Sequence, residues 1–66
     1  MSRHLPVRAA LDRLIGGAEA GTRLPAERVL ADRLGVGRAA VRHEFADLAH
    51  EGRIVVRAQS GSYIRG

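Results

Sequence analysis

Apolar residues fall at helical spacing at Val7, Ala10, Leu11, Leu14 and Ile15, which predicts a first helix facing the core on that side. Pro6 suits its first turn and Gly16-Gly17 its end. Arg8, Asp12 and Arg13 are left for the outer face. A second stripe, Leu30, Ala31 and Leu34, predicts a helix over 26–34, entered through Pro25 and capped by Gly35. Glu27 then lies near the positive end of that helix dipole. A third stripe, Val41, Phe45 and Leu48, predicts a helix over 38–51 ended by Gly52. Val36 fills the turn between the last two helices. After Gly52 the period changes. Ile54-Val55-Val56-Arg57 has strong strand propensity, Ala58-Gln59-Ser60-Gly61 reads as a turn, and Ser62-Tyr63-Ile64-Arg65 as a returning strand. The expected fold class is mainly α with a small β-hairpin. It is one domain over 1–66, a winged helix-turn-helix of three helices and a two-stranded wing.

A helix stopped by glycine and followed by an arginine-bearing helix is how a helix-turn-helix offers side chains to DNA. The charge agrees. All eleven basic residues are arginines, against seven carboxylates, for a net charge of +4, a balance suited to a polyanion. With 66 residues, a chain buries only about 60% of its unfolded surface, which leaves room for one small core and for no separate catalytic or ligand-binding domain. The absence of cysteine excludes a disulfide framework and a thiolate zinc site. No apolar run approaches the roughly 18 residues of a membrane span, and no signal-peptide pattern is visible. The chain is therefore expected in the cytoplasm, with no membrane partner. No nucleophile–base–orienter set and no phosphate-binding glycine loop is present, so an enzyme is not expected.

Leu24-Pro25-Ala26-Glu27-Arg28 with Val41-Arg42 is also a family signature. The chain resembles, from about Gly21 to Ile64, the winged-helix DNA-binding domain of the GntR family of bacterial transcription regulators. The resemblance implies sequence-specific binding of a double-stranded DNA operator and regulation of transcription, as a repressor. The family's DNA-contacting arginines map onto Arg28, Arg38 and Arg42. The guanidinium fork suits them to grip guanine or phosphate. It also implies a homodimer on a palindromic site and an effector domain that these residues do not include. An excised DNA-binding domain, a stand-alone regulator and the front of an aminotransferase-like regulator all stay open.

Several positions depart from the family pattern. Ala20 precedes Gly21 where a proline is frequent. Gly37 replaces a serine or threonine, which removes a side-chain cap. Ala39 and Ala40 replace residues that often carry hydroxyls, and can meet a thymine methyl instead. Arg53 replaces a leucine and reads as solvent-exposed or phosphate-directed. Gln59 stands where glycine is common. The expected DNA-binding set is Arg28, Gly37, Arg38, Ala39, Ala40, Arg42 and His43, with Gln59, Ser60 and Gly61 at the wing. His43, Asp47 and His50 share a helical face, but two histidines and one carboxylate are weak metal ligation. No metal and no cofactor is expected. Tyr63 and Phe45 are too few and too far apart to make a base-stacking platform and are assigned to the core. A winged helix can also serve as a protein-interaction module. That use calls for an apolar recognition face, whereas this one carries Arg38 and Arg42 beside alanines.

Overall fold

A computed structural model of the chain describes residues 5–57 and 60–65. The elements run α1 (Leu5–Gly16), α2 (Glu27–Leu34), α3 (Arg38–His50), β1 (Ile54–Arg57) and β2 (Gly61–Ile64). This is the expected order, with shifts of one residue at several ends. Ala26 is the extended N-cap of α2 rather than its first helical residue, so Pro25 lies just outside the helix. α3 stops at His50, and β2 begins at Gly61 rather than Ser62.

The turn between α2 and α3 follows from Gly35. Its backbone is left-handed, with φ 67°, a conformation that costs glycine little. Its N–H and that of Val36 both donate to the Ala31 carbonyl. The chain therefore reverses within three residues, and Gly37 opens α3 without a side-chain cap. Val36 and Leu34 pack against the core beneath the turn.

The core draws on every element. Val7 and Leu11 come from α1, Leu30 and Ala31 from α2, and Val41, Phe45 and Leu48 from α3. Leu24 from the connector, Ile54 from β1 and Ile64 from β2 complete it. Leu14, expected on the apolar stripe, is 38% exposed. The buried face of α1 is narrower than its apolar sequence: Val7 and Leu11 are fully buried and Ile15 only partly so.

The strands pair antiparallel, with Ile54 opposite Ile64 and Arg57 opposite Gly61. On its other edge β2 meets the α1–α2 connector. Gly21 N–H donates to Ile64 O at 2.7 Å, Leu24 N–H to Ser62 O at 2.8 Å, and Ile64 N–H to Thr22 O at 2.9 Å. Ser62 is buried as a result. The sequence gives no sign of this third strand segment.

An ion-pair network ties α1 to the end of α3 and the start of the wing. The Arg8 guanidinium donates to both Glu51 carboxylate oxygens, at 2.9 and 2.6 Å, and to Asp12 at 3.2 Å. Arg53 donates to Asp12 at 2.7 Å. Arg53 is half-buried and committed to this network, which corrects the expectation of a solvent- or phosphate-directed side chain. Glu44 is buried, with Arg8 Nη1 3.9 Å from its carboxylate.

The hydrogen bond from Arg53 holds the Asp12 carboxyl below its usual range, and Arg8 adds to the effect. The Arg8 hydrogen bonds do the same for Glu51. Carboxyls with depressed folded values stabilise the fold above their unfolded values and lose that contribution as pH falls through the folded ones. Arg8→Ala is therefore expected to lower the melting temperature at neutral pH. The gap to the parent should close as pH drops below about 4. Thermal melts across pH check this, and a gap constant down to the lowest pH would contradict it. The pairs are partly solvated, so the effect is modest.

Candidate nucleic-acid interface

α3 buries Val41, Glu44, Phe45 and Leu48, and the helical period then fixes what it presents on the other side. Arg38, Ala39, Arg42, His43 and Ala46 are exposed. Ala40 is half-buried and packs on the core, so of the two alanines Ala39 is the one fully on the outer face. Gly37 is exposed, and its extended backbone, φ −73°, makes no special demand for glycine. Arg28, in the first turn of α2, is also exposed. Among the described residues neither Arg28 nor Arg38 has a hydrogen bond or ion pair.

Arg42 is held differently. Its Nε donates to Glu27 Oε1 at 3.4 Å. Glu27 is half-buried, while Arg42 is exposed, so this is a surface contact. The contact uses the side of the guanidinium and leaves both terminal nitrogens without a partner among the described residues. Glu27, read in sequence as a dipole partner of α2, thus also steadies an arginine of α3.

His43 lies 3.5 Å from Asp47. The tight group that forms here is His43, Glu44 and Asp47, whose ligand atoms lie within 4.8 Å of one another; His50 is not part of it. Arg8 beside the Glu44 carboxylate opposes a cation at this place.

At the wing, Ser60 Oγ and the Tyr63 hydroxyl lie 2.6 Å apart, and that hydroxyl also reaches the Ser60 carbonyl at 3.2 Å. Tyr63, assigned to the core from sequence, is half-buried and braces the turn. Gly61 has φ 122°. Gln59 and Ala58 lie outside the described residues. A groove runs between α3 and the wing, lined by Glu27, Arg42, Phe45, Ala46 and Val56. It continues toward Arg23, Arg57, Ser60 and Gly61. Val56 is 54% exposed on its wall. Arg23 and Arg57 were passed over in the sequence reading. The only hint of Arg23 is its place directly before Leu24-Pro25.

No helix among the described residues is long and apolar enough to cross a membrane. The family of bacterial regulatory proteins termed gntR matches residues 16–64. A protein of Escherichia coli (strain K12) named as an L-lactate dehydrogenase operon regulatory protein is 46% identical over 59 residues, covering 89% of this chain and 22% of its own length. The HTH-type transcriptional repressor PhnF of Mycolicibacterium smegmatis is 38% identical over 58 residues, 88% of this chain and 24% of its own. The chain thus spans about a quarter or less of these relatives. The crystal structure of PhnF superposes with a TM-score of 0.85 at 35% identity, covering 91% of this chain and 26% of that one. The DNA-binding domain of AraR, solved with an operator, shares the fold with a TM-score of 0.88 at 21% identity, covering 97% of this chain and 80% of that one. The matched residues take in the helix-turn-helix and the wing, and the chain belongs to the gntR family of bacterial regulatory proteins, as a winged helix-turn-helix DNA-binding domain of the kind those transcription regulators carry.

Proposed function

We propose that the chain binds a double-stranded operator with α3 in the major groove, and through it represses transcription. The observation that supports this best is the shared exposure of Arg38 and Arg42 on α3, with Arg42 steadied by Glu27. In this reading Arg38 and Arg42 grip base edges or phosphates, and Arg28 anchors the backbone from α2. Ala39 offers its methyl to thymine, and Ala40 supports it from below. Gly37 brings the α3 backbone close to a phosphate. His43 lies at the edge of the same face, and Gln59, Ser60 and Gly61 approach the flanking minor groove. PhnF is named as a repressor and the AraR domain was solved on its operator, and both fit this role. A homodimer on a palindromic site, action in the cytoplasm and no catalytic activity complete the proposal. The recognition face lacks the apolar surface that a protein-interaction module needs.

The test is a salt titration. Log affinity for duplex DNA should fall linearly with log salt, by about 0.9 per phosphate neutralised. About four to six contacts suit a single module of this size. Affinity that stayed flat from low to physiological salt would overturn the reading.

A further inference from the structure

The geometry points to Arg23, in the α1–α2 connector, as a DNA phosphate anchor whose backbone is fixed beside β2 and whose side chain lies across Gly61 of the wing. The inference rests on the DNA-binding reading above and extends it to a residue outside the helix-turn-helix. Arg23 forms a β-bridge with Tyr63, which fixes its backbone beside β2. Its side chain then crosses the wing. A Cβ on Gly61 would sit 2.7 Å from Arg23 Nε and 3.2 Å from Nη2. At the shorter distance a Cβ would push the flexible Arg23 head off this place. The guanidinium therefore occupies the space that a side chain at 61 would take.

Arg23 is exposed and has no hydrogen bond or ion pair among the described residues, unlike Arg8, Arg42 and Arg53. It lines the groove between α2, α3 and the wing, where Arg57 stands as a second exposed arginine. The carboxylate on that groove, Glu27, is engaged by Arg42. The groove is thus cationic on its wing side.

Its place decides what it binds. With α3 in a major groove and the wing at the adjacent minor groove, the sugar–phosphate strand dividing the two grooves passes between them. That strand presents one negative charge per nucleotide and no base edge. A guanidinium presented there serves affinity and register rather than sequence choice. Beside its place at the minor groove, Gly61 allows the positive φ of the turn and keeps the place of Arg23 clear.

The experiment is a double-mutant cycle read by fluorescence anisotropy. It uses an operator duplex selected from random DNA and an unselected duplex, over a range of salt. Arg23→Ala should weaken both duplexes by similar factors, about three- to tenfold at physiological salt, and make the salt slope shallower by about 0.9. Arg23→Lys should regain most of the loss, because a phosphate accepts a point charge. Gly61→Ala should weaken DNA by the same factor in the parent and by little more in the Arg23→Ala background. Gly61→Ala also strains the turn, so its melting temperature is measured alongside, and binding is read well below the midpoint. An Arg23→Ala protein that binds with parental affinity and slope overturns the anchor. A Gly61→Ala loss that is undiminished in the Arg23→Ala background overturns the coupling through Gly61. Parent protein that binds neither duplex overturns the DNA-binding reading itself, a result distinct from both.

Discussion

Phe45→Ala is expected to leave the chain largely unfolded at room temperature. Phe45 is 4% exposed and sits on α3 between Val41 and Leu48, both fully buried. It also closes the floor of the groove between α3 and the wing. Truncating a buried phenylalanine costs about 3–5 kcal/mol, through lost transfer energy and the cavity left behind. A chain of 66 residues has a total stability of roughly 3–10 kcal/mol. The loss therefore takes most of what is available. Circular dichroism melts check this. An unchanged, cooperative transition would mean that Phe45 is not central to the core.

The second large effect separates base reading from anchoring. Arg42→Ala should cost about 1–3 kcal/mol on the selected operator and relax the preference at one base pair. Arg28→Ala should weaken selected and random duplexes by similar factors, with a salt slope shallower by about one unit. The structural basis lies in how Arg42 is held. Glu27 takes its Nε, so the paired terminal nitrogens remain available for guanine O6 and N7. Arg28, one residue beyond Glu27 in the first turn of α2, has no such support, and its proposed role is to anchor the backbone. The two variants can lose the same total affinity, so the ratio of operator to random binding is the quantity to compare. Gly37, Ala39 and Ala40 have no polar side chain to compensate. If Arg42→Ala kept the full sequence preference, base reading would lie with Arg38 or the wing.

The helix-turn-helix was legible in the sequence because its determinants are local. Leu30 and Ala31, then Val41, Phe45 and Leu48, repeat at the helical period, and Gly35 marks the reversal between them. Ile54 to Arg57 announced the first wing strand by composition alone. What stayed hidden depends on residues far apart in the chain. Arg8 meets Glu51 across 43 positions and Arg53 meets Asp12 across 41, so periodicity has no access to either pair. The same network takes up Arg53, which the sequence leaves free to face solvent or phosphate. Glu44 of α3 is buried, with Arg8 of α1 beside its carboxylate, a placement that α3 alone does not reveal. Leu14 looked like core and is exposed, since an apolar stripe shows what a helix can bury and not how wide a partner it meets. At the candidate interface, the exposed arginines of α2 and α3 follow from helix phase. Arg23 owes its place beside the wing to its bridge with Tyr63, and Glu27 meets Arg42 across 15 positions, contacts that only tertiary structure supplies.

The connector bonds on the outer edge of β2 change how the domain comes apart. A two-stranded hairpin alone is marginal in water and would peel away like a flap. Here β2 is the middle strand of three segments, bonded to β1 on one side and to residues 21–24 on the other. Its Ile64 lies in the same core as Leu24 and Ile54. Detaching the wing therefore means breaking the link between α1 and α2 and opening the core in the same event. The wing strands are therefore expected to exchange their amide hydrogens with the core helices rather than ahead of them.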